Sequence, residues 1–313
     1  MSPWFDSQCR LRLGWRILLG IAVAILANII ALDFAASFAR QSRAVDAIYR
    51  PVSMVLLLAG FLGLLRSADR IPDGAFLALG LGRSPHWRAQ ILAGIVIAAA
   101  LVCFAVLGII AVGQMSVSVA LNGRTLALAL LEVMVLATGA MAEELIFRGY
   151  PFQRLVDAFG SAGAVCLFAF LFGLVHLQNP HSSMWALINT VAIGVLLAIA
   201  YLRTRSLWMA WGMHFGWNTV LGLVFGLPVS GLTDFAVVVK SRAQGPRWLT
   251  GGAYGIEGGA LGTIVILLGF VPVFWATAKG RLSAGAPQSA TLQTAQSDAG
   301  TAADEASHSG IQL

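Results

Sequence analysis

Long stretches without a charged residue constrain this chain more than any other feature of its sequence. Six stretches contain no Asp, Glu, Lys or Arg: Ile17–Leu32, Pro51–Leu65, Ala89–Gly123, Ala158–Leu202, Ser206–Thr233 and Gly258–Ala278. A helix that crosses a bilayer needs about 20 apolar residues. Because lipid offers no water to the backbone, such segments must satisfy their own hydrogen bonds as helices. The sequence therefore predicts an all-α fold, a polytopic transmembrane helix bundle.

The composition supports the same class. Only 11% of the 313 residues are charged and 58% are hydrophobic, whereas soluble domains carry about 25% charged residues. Residues 1–282 are predicted to form a single transmembrane domain with a core at 126–220, and residues 283–313 a disordered tail. We predict about eight spans, near residues 14–34, 48–66, 90–113, 126–155, 162–178, 184–203, 206–228 and 259–279.

Lysine and arginine residues flank the predicted spans unequally. With the N-terminus inside, 13 of the 20 lie on the inner side and 7, including Arg43 and Arg50, on the outer side. Cytoplasmic loops are enriched in positive residues, so both termini are predicted to be cytoplasmic. The Arg-, Ala- and Gly-rich composition is typical of a GC-rich bacterium, which predicts a multi-pass protein of the inner (plasma) membrane. These flanking charges account for the net charge of +6, so the charge needs no nucleic-acid partner. The expected partner is the lipid bilayer.

A few polar and ionisable residues interrupt the predicted spans. Such groups are costly at bilayer depth and mark functional sites by default. They fall in three segments and comprise Glu143, Glu144, Arg148, His176, His214 and Asn218. Three clusters from three segments predict one polar site between helices.

The two adjacent glutamates are predicted to have different roles. Glu144 and Arg148 are four residues apart, the favourable order for an ion pair on a helix, so Glu144 is expected to be a structural anion. Glu143 lies about 100° around the helix and has no such partner, which suits a general base. Glu132 lies near the same face as Glu143 and either lines the same cavity or, as we expect, is a partnered structural acid.

The predicted helices bring four of these residues to similar depth. At about 1.5 Å per residue, Glu143 and His176 lie roughly 18 and 20 Å from a shared membrane face, and His214 and Asn218 roughly 12 and 18 Å. Taken singly, a membrane histidine or a Glu–Arg pair is equally well explained as a packing element. Their convergence favours a site with a base and oxyanion donors, or with a divalent metal, since carboxylate and imidazole also bind zinc.

Three short motifs follow one another in the core, at residues 126–220. They are EExxxR at Glu143, Glu144 and Arg148, FxxxH at Phe172 and His176, and HxxxN at His214 and Asn218. In this order they resemble the CPBP family of membrane proteins, the CAAX protease and bacteriocin-processing group that is also called the Abi family. Each motif is weak alone, and the combination is specific.

The resemblance implies an intramembrane endopeptidase, a hydrolase that cleaves a membrane-associated peptide or protein. By analogy with the family, Glu143 and His176 activate water and His214 and Asn218 stabilise the oxyanion. Glu144, Arg148 and Phe172 would support the site. The family has been described both as metal-dependent and as a glutamate-type protease. We favour the metal-free form and expect no cofactor, with zinc on Glu143, His176 and His214 as the alternative.

Other functions remain open at the sequence level. A non-catalytic membrane immunity or scaffold protein of the same family is the alternative, because a fold does not secure an activity. A proton-coupled transporter ranks last, since the sequence shows no inverted repeat. Prenylated CAAX-box substrates belong to eukaryotes, so an unidentified membrane-associated peptide or protein is the expected substrate.

Overall fold

The computed structural model describes residues 4, 6, 10–38, 42–71, 74–112, 114–278 and 282, and these residues are largely helical. The predicted tail at 283–313 lies outside the described residues. The helices are α1 (Leu13–Phe38), α2 (Ser42–Ser67), α3 (Ala75–Ala78), α4 (Trp87–Val112), α5 (Gly123–Phe147), α6 (Tyr150–His176), α7 (Met184–Thr204), α8 (Leu207–Thr219), α9 (Arg247–Thr250) and α10 (Ala260–Ala276).

Several of these helices are suited to a bilayer. Five helical stretches are long and apolar enough to cross a membrane: Leu13–Phe38, Arg43–Ser67, Trp87–Ala111, Gly123–His176 and Met184–Thr204. The fourth stretch contains both α5 and α6, and the apolar helix α10 is shorter. The helical, multi-pass membrane fold is confirmed, whereas the count of eight spans is not. The sidedness of the termini stays a prediction.

Three helices that line the site, α5, α7 and α8, begin at side-chain caps. Asn122 accepts a hydrogen bond from the backbone N–H of Thr125 at the start of α5. Ser183 and Ser206 cap α7 and α8 in the same way, through the backbone N–H groups of Ala186 and Trp208. Such caps satisfy N–H groups that have no partner within the helix, which fixes where each helix starts.

The predicted helix 126–155 is wrong, because the chain breaks between α5 and α6. Arg148 leaves the helical conformation (φ −132°), and a Cβ added at Gly149 would lie 2.1 Å from the Leu145 carbonyl oxygen. Pro151 then occupies the first turn of α6, where its missing N–H costs nothing. A second break follows at Gly160, whose φ of 76° interrupts α6 near the turn predicted there.

A small sheet was not predicted. Strand β1 (Gln114–Val119) pairs antiparallel with β2 (Val239–Gln244), with Val117 opposite Ser241. The sheet links two segments on either side of the core that are more than a hundred residues apart in sequence.

The helix predicted at 206–228 is shorter in the structure. Helix α8 ends at Thr219, and a π-helical turn follows at Val220–Val224.

Helices α4 and α8 cross in backbone contact. A Cβ added at Gly212 of α8 would lie 2.6 Å from the Ile91 carbonyl oxygen, and one added at Gly94 of α4 would lie 2.5 Å from that of Met209. Small residues allow membrane helices to approach this closely. The contact fixes α8, which carries His214 and Asn218, against the bundle.

Replacement of Gly212 by alanine should therefore destabilise the bundle. The added methyl group overpacks backbone against backbone, which typically costs about 1–3 kcal/mol. The melting temperature of the purified protein in detergent should fall. Gly63→Ala is the matched control, because nothing lies within 4 Å of a Cβ at Gly63 in α2. Equal melting temperatures for the two variants would contradict the close contact.

Candidate active site

The candidate site is a cavity of about 830 Å³ enclosed by helices from both halves of the chain. Residues of α1, α2, α4 to α8 and α10 line it, together with the segment that follows α8. Its lining includes all four residues predicted to be catalytic, Glu143, His176, His214 and Asn218. The structure therefore brings together what the sequence placed only at similar depth.

Glu143 lies between the two histidines. Its Oε2 atom is 3.6 Å from Nε2 of His214 and 3.9 Å from Nε2 of His176. These distances exceed a hydrogen bond, and the buried Oε2 has no hydrogen-bond partner among the described residues. Polar atoms buried without a partner are rare in folded proteins. The Glu143 carboxylate thus has room for a water molecule or a substrate group beside both imidazoles.

The tautomer of His176 follows from its neighbour. Nδ1 of His176 lies 2.7 Å from the Phe172 carbonyl oxygen. A carbonyl oxygen only accepts, so Nδ1 must carry the proton, and the neutral ring presents an unprotonated Nε2. That nitrogen is the atom that faces Glu143. The site thus offers two adjacent acceptors, a carboxylate oxygen and an imidazole nitrogen.

Glu144 is the centre of a buried polar chain. Its Oε1 accepts hydrogen bonds from Arg148 at 3.1 Å and from Nδ1 of His214 at 2.9 Å. Arg148 in turn donates to the Gly194 carbonyl oxygen of α7 at 2.9 Å. The Glu144 side chain is 0% exposed, against 28% for Glu143. The predicted pair with Arg148 is therefore present, and the contact with His214 is an addition to it.

Phe172 packs at the centre of this arrangement. Its ring centroid is 4.5 Å from that of His176 and 6.0 Å from that of His214. The Arg148 guanidinium lies over the same ring, 4.8 Å from its centroid. The phenyl ring lines the cavity beside the His176 imidazole. It also shields the Arg148 charge from the cavity, which strengthens that charge's electrostatic interactions.

Residues 124–220 match the family model described as type II CAAX prenyl endopeptidase Rce1-like. These residues are similar to that family, and we call them the Rce1-like core. The matched residues contain all seven site residues named from the motifs, so the match agrees with the resemblance to CAAX proteases. No curated protein and no solved structure matches the chain.

Glu143 has no ion-pair partner one turn further along its own helix, but Arg50, from outside the Rce1-like core, is a charged neighbour that the sequence did not indicate. Its NH1 atom is 3.7 Å from Oε1 of Glu143, and Arg50 lines the cavity. Sequence reasoning counted Arg50 as a flanking charge at the end of a span. Its position directly before the apolar run that begins at Pro51 is the one sequence feature that could have indicated a place in the cavity, and this signal is weak.

Glu257 is a second cavity carboxylate that sequence reasoning missed. It lies in a 3₁₀ turn (Ile256–Gly258) before α10. Its Oε1 accepts from the Trp217 indole and its Oε2 from the Ser230 hydroxyl, both at 2.8 Å, and Oε2 also accepts from the Ser230 backbone N–H. Burial raises the pKa of the Glu257 carboxyl, although these hydrogen bonds lower it in part. Because both oxygens are hydrogen-bonded, Glu257 has a structural role.

Glu132 belongs to neither group. It is 2% exposed and lies 2.8 Å from the guanidinium of Arg43. It is absent from the lining of the cavity. Of the two interpretations, the partnered structural acid is the one that the structure bears out, and the ion pair ties α2 to α5.

The described residues contain no group of three or more His, Cys, Asp or Glu side chains arranged to hold a metal ion. The Nε2 atoms of His176 and His214 both face Oε2 of Glu143, and the bond from Nδ1 of His214 to Glu144 leaves Nε2 free to bind a metal. The zinc alternative therefore stays a prediction.

Replacement of Arg148 by methionine should destabilise the Rce1-like core strongly. Removal of one partner of a buried ion pair leaves the other charge uncompensated, which costs about 3–5 kcal/mol. The melting temperature in detergent should fall well below that of the wild type. Arg66→Met, which removes an exposed arginine of α2, should change it little. Similar melting temperatures would show that Glu144 does not depend on Arg148.

Proposed function

We propose that this protein is an intramembrane endopeptidase that hydrolyses a peptide bond of a membrane-associated protein or peptide. One observation carries the proposal. An unpartnered oxygen of Glu143 lies within 4 Å of the Nε2 atoms of His176 and His214 inside a cavity between membrane helices. Amide hydrolysis needs an activated water and donors for the oxyanion, and this arrangement can supply both.

Glu143 and His176 would activate the water. A water molecule that bridges the 3.9 Å between Oε2 and Nε2 can donate one hydrogen bond to each acceptor. Glu143 takes a proton as the water oxygen attacks the carbonyl carbon of the substrate. His176, held by the Phe172 carbonyl oxygen, orients the water through its second hydrogen.

His214 and Asn218 would stabilise the oxyanion. His214 directs Nδ1–H to Glu144, so Nε2 donates to the oxyanion only when the ring is protonated. The two nitrogens of His214, Nε2 and Nδ1, lie 3.6 and 2.9 Å from carboxylate oxygens of Glu143 and Glu144. Asn218 lies one helical turn after His214 and lines the same cavity, where its amide N–H can add a second donor.

Glu143 would also complete the reaction. The protonated carboxyl group transfers its proton to the amide nitrogen of the tetrahedral intermediate, and the C–N bond breaks. The products are a carboxylic acid and an amine, the acid then passes its proton to the amine, and Glu143 returns to its ionised form. The same residue thus acts first as a general base and then as a general acid.

The walls of the cavity suit a substrate that is held in the membrane. Ile25 and Ile29 of α1 and Val175 of α6 line the cavity, and each is about half exposed, at 54%, 58% and 48%. An opening beside these apolar residues would face lipid. This favours a membrane-associated substrate over a soluble one.

Replacement of Glu143 by glutamine should abolish cleavage. The amide is not a general base, and such a group contributes roughly 10²- to 10⁴-fold to the rate. The measurement is cleavage of a library of membrane peptides by the purified full-length protein in liposomes. Glu132→Gln on the same helix is the control and should retain activity. Equal cleavage by the wild type and Glu143→Gln would remove Glu143 from the mechanism.

The same pair of variants separates this function from the non-catalytic alternative. An immunity or scaffold protein should keep its cellular phenotype when Glu143 is replaced by glutamine, whereas a protease should lose it. Loss of the phenotype in Glu143→Gln, with retention in Glu132→Gln, would reject the scaffold.

The catalytic type can be measured directly. A glutamate-type protease should retain cleavage after chelator treatment and contain no stoichiometric zinc by elemental analysis. Loss of activity that is restored by added zinc would favour the metal-dependent alternative on Glu143, His176 and His214. If chelator treatment unfolds the protein, so that added zinc cannot restore activity, its melting temperature will be lower than that of the untreated protein.

A further inference from the structure

We propose that Arg50 is a positioning residue for the Glu143 carboxylate. Its side chain extends from α2 and reaches Glu143 beside Gly139 of α5, where the absence of a side chain leaves room for it. The inference rests on the proposed function of Glu143 and extends it to a residue outside the Rce1-like core. Arg50 attracts one oxygen of the carboxylate electrostatically at 3.7 Å, so that the other faces the imidazoles.

The two oxygens of Glu143 have different neighbours. Oε1 lies 3.7 Å from NH1 of Arg50, whereas Oε2 lies 3.6 and 3.9 Å from the Nε2 atoms of His214 and His176. A carboxylate with one neighbour on each side has a preferred rotation about its last side-chain torsion, which is otherwise broad. In this rotation the unpartnered Oε2 faces the space where the water would bind.

Gly139 makes the approach of Arg50 possible. It lies one turn before Glu143, and a Cβ added there would be 2.6 Å from NH1 and 2.8 Å from Cδ of Arg50. The guanidinium therefore lies directly against the backbone of α5. Any larger residue at position 139 must push Arg50 aside, since a side chain yields more readily than a helix backbone.

Charge balance supports the same role. An ionised carboxylate enclosed by membrane helices is costly unless it is paired. Glu144 is already paired with Arg148 and His214, and Glu257 with hydrogen-bond donors. For Glu143, the permanently charged partner within 4 Å in the described part of the chain is Arg50, because each histidine is charged only when protonated.

The structure offers a matched control on the same two helices. Arg43 of α2 pairs with Glu132 of α5 at 2.8 Å, away from the cavity. Both arginines thus connect α2 to α5, but only Arg50 contacts a residue with a proposed catalytic role. A purely structural role for Arg50 predicts the same behaviour for both arginines.

The test compares cleavage kinetics of the full-length protein in liposomes. Arg50→Met should lower kcat roughly 10- to 100-fold with little change in KM, because a misplaced catalytic group loses rate rather than binding. Arg50→Lys, which keeps the charge, should recover part of kcat. Arg43→Met should keep the wild-type kcat.

Gly139→Ala gives an independent arm. It should lower kcat in the same direction as Arg50→Met, and the double variant should be no slower than Arg50→Met alone, because both changes remove one interaction. Additive losses would overturn the proposal. So would an Arg50→Met variant with unchanged kcat and raised KM, which would make Arg50 a substrate-binding residue.

A double-mutant cycle of thermal-unfolding measurements tests the Arg50–Glu143 pair without any cleavage assay. It therefore remains informative even if the wild type cleaves nothing and the proposed function fails. Arg50→Met should lower the melting temperature in the wild-type background and clearly less in the Glu143→Gln background, because the uncompensated carboxylate is then absent. Equal decreases in the two backgrounds would show that Arg50 does not act on Glu143.

Discussion

The rest of the site depends on the hydrogen-bonded chain Arg148–Glu144–His214. A charge at bilayer depth persists only when it is paired, and one carboxylate oxygen here accepts from both a guanidinium and an imidazole. Arg148 extends the chain to α7 through the Gly194 carbonyl oxygen. Helices α7 and α8 and the end of α5 are thereby fixed by groups that cannot be exposed to lipid. The same chain determines which nitrogen of His214 faces the cavity, so it links the packing of the bundle to the chemistry of the site.

Two neighbouring carboxylates acquire opposite characters from this arrangement. Glu144 is fully buried and its Oε1 accepts from two donors, whereas Glu143 lines the cavity and its Oε2 faces the two imidazoles. Their difference arises from the helix, which turns adjacent side chains about 100° apart. One side of α5 therefore faces Arg148 and α8, and the next faces the cavity, Arg50 and the histidines. The geometry of the helix is therefore sufficient to separate the structural acid, Glu144, from the reactive one, Glu143.

The break between α5 and α6 has a consequence for this site. If α5 and α6 formed one continuous helix, Arg148 would keep the regular helical spacing to the residues that follow it. Gly149 and Pro151 end one helix and start the next, and the 1% exposed Arg148 side chain bonds both within its own helix and to α7. The sequence predicted a continuous span at 126–155 because the apolar pattern continues through the break.

The sequence by itself determined the membrane class, the three motifs and the expectation that their residues meet at one depth, because apolar length and helical spacing are local properties. It also predicted the Glu144–Arg148 pair, which lies within one helical turn. Only the tertiary structure decided that His214 bonds to Glu144, that Glu257 is held by Trp217 and Ser230, and that Arg50 reaches Glu143. Strands β1 and β2 were missed for the same reason. Each of these contacts joins residues far apart in the chain, and its existence depends on how helices and loops pack, which no spacing along the sequence records.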